Sequence, residues 1–222
     1  LINNKVFGDI IHINFKMPHE SFIRPPKSVK YPQKWRLVDE YIPTISLDLG
    51  IHLHHLAKFL LNENPEEVFG EFNSYSKYEV IDDVKVLLRY KDGMSGLMWT
   101  SKTALGNRNG LSVELYGTKA SATWKQYDPE NLHISYSDGR KEVIDRGSSC
   151  VEANKKQYNR MTPGHPSGFI EAFANVYSDI SYMLDDFLIE GKIDMSHHYG
   201  IGDAIEGLKF LHMSKKSYEQ GK

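Results

Sequence analysis

Apolar and polar residues alternate through most of the first two thirds of the chain, which is the pattern of half-buried strands. Within 8–17, every second residue from Ile11 onward is apolar. Residues 84–90 alternate up to a Lys-Asp-Gly turn at 91–93, and 94–101 returns, so a hairpin is predicted. Further short strands are predicted at 112–117, 120–127, 132–137 and 141–145.

Apolar residues recur at helical spacing elsewhere. Residues 46–62 are predicted as a helix that must end before Pro65. In the last third, the helical repeat covers 169–188, and a second amphipathic helix covers 201–211. The prolines in 18–38 prevent a regular element there and predict a long ordered loop.

The composition is that of a globular protein. Because strands are followed by helices with no interior linker, we predict one α+β domain with a meandering antiparallel sheet over residues 1–222. The net charge of −2 excludes the basic footprint of a nucleic-acid-binding protein, and no apolar run reaches the roughly 20 residues that cross a bilayer. The lone Cys150 excludes an internal disulfide and favours a reducing, cytoplasmic compartment. Since the chain begins at Leu1 rather than at Met, we expect it to be part of a longer protein.

The residues that carry chemistry are densest in the predicted helix 46–62. Asp48 and His52 stand four residues apart, so on an α-helix they share a face, where the carboxylate orients the imidazole and raises its basicity. That arrangement suits a general base acting on a hydroxyl group. Gly50 between them predicts the close approach of a ligand. A structural alternative stays open, in which Asp48 stabilises the first helical turn and His52 is a hydrogen-bonded, half-buried side chain.

A metal site on the same helix is a weaker hypothesis. His55 lies on the same stripe as Asp48 and His52. However, three ligands so close together on one helix seldom converge on one centre, and no ligand outside the helix is identifiable. We therefore predict no metal.

Two further segments offer groups that bind ligands. Arg36 follows Trp35 at the end of the proline-rich loop, where its guanidinium either clamps a ligand oxygen or packs on the indole. His165 stands in the Pro- and Gly-rich turn 161–168, directly before the long helix. A ligand hydroxyl or carboxylate would suit that turn, and a helix cap with a surface histidine is the alternative.

The Asp-x-Gly-x-His motif at 48–52 follows the Trp-Arg pair at 35–36 and begins a helix. It resembles the signature of the glucose–fructose oxidoreductase and inositol dehydrogenase (Gfo/Idh/MocA) family. The order of the other segments agrees, with 115–120 before a strand that contains Trp124, and Gly-His-Pro-x-Gly at 164–168 before the long helix. The resemblance spans nearly the whole chain and is to the family's C-terminal substrate domain.

The resemblance implies a fold similar to the C-terminal domain of glyceraldehyde-3-phosphate dehydrogenase. That fold is an open, mainly antiparallel sheet with helices on one face, and its other face joins subunits into a homo-oligomer. By the motif match, His52 takes the place of the histidine that transfers the proton, and Asp48 takes the place of the aspartate that positions the substrate carbinol. The further candidates for substrate binding are Trp35, Arg36 and His165.

The implied function is transfer of a hydride from the hydroxyl carbon of a sugar or cyclic polyol. NAD or NADP would be bound in the full-length protein by an N-terminal Rossmann domain, which also carries a catalytic lysine in a Glu-Lys-Pro motif. Neither is present in this chain, so we expect the fragment alone to bind no nicotinamide cofactor and to be inactive. The alternative is a non-catalytic sugar-binding or dimerisation module.

Overall fold

An open sheet of eight strands forms the frame of the protein, in the order β2-β3-β4-β1-β5-β6-β7-β8. A computed structural model describes residues 1–25, 31–151, 154–156, 158–192 and 199–221. The strands are β1 (Ile10–Pro18), β2 (Glu67–Asn73), β3 (Asp83–Arg89), β4 (Ser95–Ser101), β5 (Ser112–Gly117), β6 (Ala120–Lys125), β7 (Asp128–Tyr136) and β8 (Lys141–Ile144). β1 and β4 run parallel, and every other neighbouring pair is antiparallel. The mostly antiparallel open sheet confirms the predicted α+β class, but the predicted meander is wrong at β1, which lies between β4 and β5 and pairs in parallel with β4.

Helices α1 and α3 cover one face of this sheet, where α1 packs against β1 and α3 packs against β2. The described helices are α1 (Ile51–Leu61), α2 (Phe169–Glu190) and α3 (Ile201–Gln220), with 3₁₀ turns at Lys34–Leu37 and Lys91–Gly93. A π-helical segment, Ser46–Gly50, leads directly into α1, so the predicted helix is confirmed but begins with a wider turn. The core lies between these helices and the sheet, where Ile13, Phe15 and Leu53 are completely buried.

Two glycines let α3 lie close to its neighbours. A Cβ atom at Gly70 in β2 would come within 2.4 Å of the Ser214 carbonyl oxygen of α3, and the Gly70 N–H donates to Ser217 Oγ at 3.2 Å. The pattern of residues did not single out β2, because this glycine weakens the strand signal. A Cβ atom at Gly50 would come within 3.2 Å of Leu211 Cδ2. The close approach expected at Gly50 is therefore made by α3 rather than by a ligand.

The crossing of α1 and α3 buries a histidine. His54 is 3% exposed, and its ring lies 4.9 Å from the ring of Phe210. A Cβ atom at Gly207 would come within 2.5 Å of Ile51 Cδ1 and 3.4 Å of His54 Nδ1, so the two helices are in direct contact. His54 Nδ1 has no hydrogen-bond partner in the described residues. Burial, with a contribution from the charge of His55, lowers the pKa of His54 to about 4.

We expect His54 to make the protein sensitive to acid. Because the pKa of His54 lies below its ordinary value of 6.5, the unfolded chain takes up the proton first. The free energy of unfolding should therefore fall as the pH drops from 6.5 towards 4, by up to about 3 kcal/mol from this residue. Urea unfolding at several pH values measures the loss, and His54→Gln should reduce it. His133→Gln, at an exposed histidine, is the control; equal pH slopes for His54→Gln and the unmodified protein would contradict the assignment.

Helix α2 confirms the predicted long helix, but within the described residues it has no extensive packing against another helix or strand. None of its residues is buried, and its apolar side chains are exposed, including Phe169 at 73%, Leu188 at 78% and Ile189 at 82%. The amphipathic pattern therefore predicted the helix correctly, while its apolar side has no cover in the described residues. Among the described helices, none combines the length and the apolar character that a membrane crossing requires.

The face of the sheet opposite α1 and α3 is open. Phe69, Leu87 and Leu97 lie side by side in register across β2, β3 and β4, and Phe69 and Leu87 are 46% and 53% exposed. The charged side chains around this apolar row pair within the sheet, as Lys16–Glu114, Lys85–Asp83, Lys85–Glu71 and Arg89–Glu67. The open face is thus apolar at its centre, and the charged side chains around the centre form ion pairs with one another.

Candidate active site

The candidate site lies at the edge of the sheet where the parallel strands β1 and β4 both end. Pro18 is in register with Ser101 at these ends, and the His19 N–H donates to the Ser101 carbonyl at 2.7 Å. The next residues, His19 and Lys102, are therefore neighbours. The π-helical segment with Asp48 packs against β4 and faces the same edge. Three separate parts of the chain meet here.

Asp48 is the centre of this cluster. Arg36 donates to its carboxylate from Nε to Oδ2 at 2.9 Å and from Nη2 to Oδ1 at 3.1 Å, and Lys102 Nζ donates to Oδ2 at 2.5 Å. Burial raises the pKa of Asp48, but the hydrogen bonds from Arg36 and Lys102 outweigh it and hold the pKa below its ordinary value. A carboxylate has about four lone-pair positions. Three of these are occupied, so one position on Oδ1 is left for a ligand hydroxyl.

Trp35 and Arg36 form one unit beside Asp48. The guanidinium carbon of Arg36 lies 4.3 Å from the centre of the Trp35 ring. Gln33 Oε1 accepts hydrogen bonds from Trp35 Nε1 at 2.9 Å and from Arg36 Nη1 at 2.5 Å. Arg36 therefore packs on the indole, as one of the two alternatives predicted, and it also binds carboxylate oxygens, those of Asp48. Trp35 is 50% exposed and leaves ring surface free for a ligand.

His52 does not pair with Asp48 as the spacing predicted. Its side chain is exposed, and within the described ranges it makes no hydrogen bond or ion pair. The physical reason is the π-helical turn: its backbone bonds join residues five apart, so the four-residue spacing no longer places two side chains one above the other. The Asp48 carboxylate turns towards Arg36 and Lys102 instead. The assignment of His52 as the acid–base group remains a prediction.

His19 and Lys102 also belong to the candidate site, although the sequence analysis did not identify either of them as a site residue. The Ser21 N–H donates to His19 Nδ1 at 3.0 Å, so Nδ1 is the acceptor and the ring proton is on Nε2. Burial and the charge of Lys102 lower the pKa of His19, which keeps the ring neutral as an N–H donor. Lys102 is 6% exposed, and burial lowers its pKa. In the sequence, their positions just after the predicted strands 8–17 and 94–101 were the one feature that could have indicated a site at the ends of these strands.

His165 is held at the other end of the sheet. Arg146, next to β8, donates to the carbonyl oxygens of His165 at 2.7 Å and Met161 at 3.0 Å, and to Glu130 Oε2 at 2.6 Å. The His165 ring is exposed, with Nδ1 3.1 Å from the Thr162 carbonyl oxygen. No contact in the described ranges joins it to the Asp48 cluster. Its role in substrate binding remains a prediction.

The described side chains show no cluster of three His, Cys, Asp or Glu residues able to hold a metal ion. His55, the third member of the metal hypothesis, stacks on Tyr199 with ring centres 5.6 Å apart. The Asp48 oxygens, as described above, already bind two cations. The geometry therefore favours hydrogen bonding to a ligand over metal binding at this site.

The fold defines a class of protein. The structure is similar to an inositol dehydrogenase homologue from Azotobacter vinelandii complexed with NAD⁺ (TM-score 0.88, 23% identity, 99% of this chain and 58% of that chain). It is also similar to an oxidoreductase from Sinorhizobium meliloti (TM-score 0.78, 25% identity, 99% of this chain and 57% of that chain). Both solved structures share the open-sheet fold of this chain.

The sequence places the chain within that class. Residues 1–123, more than half of the chain, match the family model described as the GFO/IDH/MocA C-terminal domain. The chain belongs to the Gfo/Idh/MocA family. A curated relative, the uncharacterised oxidoreductase YfiI of Bacillus subtilis (strain 168), is 26% identical over 231 residues. The alignment covers all of this chain and 58% of YfiI.

Proposed function

We propose that the chain is the substrate domain of an NAD(P)-dependent oxidoreductase that removes a hydride from the hydroxyl-bearing carbon of a sugar or cyclic polyol. The observation that carries this proposal is Asp48, an ionised carboxylate with one lone-pair position left where β1 and β4 end. Relatives of the same fold support it. One is an inositol dehydrogenase homologue complexed with NADH and myo-inositol, and another is a levoglucosan dehydrogenase complexed with NADH and levoglucosan.

The proposed reaction gives a part to five side chains. Asp48 accepts a hydrogen bond from a substrate hydroxyl and positions the carbinol, while Arg36 acts by holding Asp48. His19 donates from Nε2 to a second substrate oxygen, and Trp35 offers its free ring surface to the C–H face of the sugar. His52, exposed and without a partner, accepts the hydroxyl proton as the hydride leaves the carbon. The site thereby separates binding, done by Asp48, from proton transfer, done by His52.

The nicotinamide supplies the hydride acceptor when it is bound. The residues that the structure describes contain no parallel strand–helix–strand unit with a Gly-rich turn, which is the usual dinucleotide site. We therefore place NAD or NADP in the rest of the full-length protein, since this chain spans 58% of YfiI. The exposed thiol of Cys150 supports a reducing, cytoplasmic location.

A substrate panel tests the proposed function. The full-length protein is incubated with NAD⁺ or NADP⁺ and with myo-inositol, levoglucosan, glucose and other sugars and polyols. Formation of NADH or NADPH is followed by absorbance. We expect turnover with at least one cyclic substrate; no reduced cofactor with any of them would overturn the proposal.

The alternative is a domain that binds a sugar or joins subunits without catalysis. The one observation that favours it is the absence of a hydrogen-bond partner for His52 in the described residues, since an acid–base histidine is usually oriented by a second group. Isothermal titration calorimetry separates the two functions. Sugar binding by the full-length protein with no reduction of either cofactor would favour the alternative.

We also propose that the open face of the sheet joins copies of the chain into a homo-oligomer. The apolar row is continuous across three strands, with Phe69 and Leu87 exposed and Leu97 half-buried. The charges around it are already paired within the sheet, so a second copy can approach without unpaired charges. In a two-fold interface the same row would meet its own copy.

A charge in this row should separate the subunits. Leu87→Lys is expected to raise the dissociation constant at least about tenfold, because two like charges would be buried in one symmetric interface. Light scattering over a concentration series measures the mass. Tyr127→Lys, at a 74% exposed residue between β6 and β7, is the matched control and should change nothing. A monomeric unmodified protein, or an unchanged mass for Leu87→Lys, would refute this interface.

A further inference from the structure

Lys102 is a buried cation to which the proposed reaction gives no task. Its side chain is 7% exposed, and Asp48 is its one hydrogen-bond partner in the described residues, at 2.5 Å. The Nζ atom also lies 5.3 Å from the centre of the Phe22 ring, which gives it a further favourable contact. Burying an ammonium group is unfavourable unless it is paired. A neutral residue would pack at this position with less cost, so the charge itself calls for an explanation.

The two cations on Asp48 differ in how firmly each is held. Arg36 belongs to a short 3₁₀ turn in a loop, and its side chain is 31% exposed. Lys102 directly follows β4, and its backbone is fixed on both sides: its N–H donates to the Asp82 carbonyl at 2.8 Å, and its own carbonyl accepts from the Phe22 N–H at 2.9 Å. Lys102 is therefore the rigid contact of Asp48 and Arg36 the adaptable one.

We propose that Lys102 is a positioning residue that fixes Asp48 through Oδ2, so that the remaining lone pair on Oδ1 faces the substrate hydroxyl. The inference rests on the proposed function of Asp48 as the group that positions the carbinol. Lys102 touches Asp48, and it acts on the substrate only through that carboxylate. By occupying Oδ2 it limits the carboxylate to one ligand acceptor in one direction, which is what orientation of a single C–H bond towards an acceptor requires.

Lys102 also determines the pH range in which Asp48 is charged. The groups that face this pair are Arg36 from the 3₁₀ turn and His19 from the segment after β1, and Glu20 acts on His19. Burial raises the pKa of Asp48, and the hydrogen bonds from Arg36 and Lys102 lower it. Without Lys102 the pKa of Asp48 must rise, because burial remains while one of the two opposing charges is lost. The carboxylate would then lose its charge at a higher pH.

The test uses Lys102→Met and Lys102→Arg in the full-length protein. Lys102→Met should raise KM for the sugar or polyol about tenfold and lower kcat/KM by about ten- to a hundredfold, since both ground-state and transition-state orientation are lost. The acidic limb of kcat/KM against pH should move to higher pH. Lys102→Arg, which keeps the charge, should have a KM, a kcat/KM and an acidic limb close to those of the unmodified protein. Lys58→Met, which removes a lysine of α1 paired with Glu206 of α3, is the matched control and should leave the pH profile unchanged.

A purely structural role predicts a different result. Lys102→Met would then lower the melting temperature and leave the acidic limb and KM where they were, and that result would overturn the proposal. If the Met variant does not fold, Lys102→Gln takes its place, since an amide still donates one neutral hydrogen bond. It should show the same upward movement of the acidic limb, and an unmoved limb would count equally against the proposal.

A measurement independent of turnover separates this proposal from the proposed function. The carboxyl carbon of Asp48 is followed by ¹³C NMR during a pH titration of the unmodified protein and of Lys102→Met, with Asp48→Asn to assign the signal. The midpoint should rise in Lys102→Met whether or not the enzyme oxidises a polyol. An unchanged titration midpoint for Asp48 refutes the proposal that Lys102 fixes its carboxylate. A shifted midpoint without turnover of any substrate refutes only the proposed function.

Discussion

His52→Ala in the full-length enzyme should lower turnover by about a hundred- to ten-thousandfold, the range for removal of a positioned general acid or base. The fold should be unaffected, because the His52 side chain is exposed and makes no hydrogen bond in the described residues. Affinity for the nicotinamide cofactor should barely change, since the proposed function places the cofactor outside this chain. Steady-state kinetics and circular dichroism measure these three quantities.

The control for His52→Ala has to be another exposed histidine. His55→Ala is unsuitable, because His55 stacks on Tyr199 and lies against Gly207 at the contact of α1 with α3. His133→Ala on β7 removes an exposed ring from the far part of the sheet and should leave turnover unchanged. Full turnover in His52→Ala with an intact fold would remove the proposed base. A loss of activity on adding a chelator would instead favour the metal hypothesis.

Asp48→Asn should have the other large effect, and it should reduce both activity and stability. The variant keeps the shape of the side chain but turns an amide group with its own N–H donors towards Arg36 and Lys102. We expect kcat/KM to fall by at least about a hundredfold, because orientation of the carbinol is lost. The free energy of unfolding should fall by about 3 kcal/mol, since the buried Lys102 and the partly exposed Arg36 lose their counter-charge.

The stability effect of Asp48 has a defined pH dependence. Because the pKa of Asp48 is lowered in the folded protein, its contribution is present at neutral pH and is lost as the pH falls through the pKa of the folded state. The difference between Asp48→Asn and the unmodified protein in urea unfolding should therefore shrink in acid. Asp128→Asn, in an exposed pair with His133, is the control and should cost little at any pH. Near-normal kcat/KM in Asp48→Asn would contradict the role of Asp48.

The motif at 48–52 shows that local spacing can locate a site in the sequence without predicting which of its side chains pair. The residue types and their place at a helix start led to the segment that faces the ends of β1 and β4. The expected pairing of Asp48 with His52 was wrong, because it assumed α-helical geometry for a segment that forms a π-helical turn. Such a turn is stabilised by what packs against it, here β4 and α3, and not by the spacing of residues within it.

The hydrogen-bond partners of Asp48 could not be predicted from local spacing either, because they lie far from it along the chain. Lys102 lies 54 residues further along the chain than Asp48, and Arg36 lies 12 residues before it. Nothing within either neighbourhood indicates that the three side chains converge. Asp48 reaches Lys102 because its π-helical segment packs against β4, the strand that ends just before Lys102, and Arg36 joins them through its hydrogen bonds to Asp48. That packing depends on the whole fold.

The sequence by itself determined the local elements of this protein. Alternating residues specified the strands around the 91–93 turn, and helical spacing specified α1, α2 and α3, because one buried face of each element imposes its own period. Only the tertiary structure decided that β1 lies between β4 and β5, that Gly50 and Gly70 face α3, and that Lys102 meets Asp48. Those outcomes depend on which surfaces bury one another across distant parts of the chain, and a short-range period of apolar residues carries no information about that.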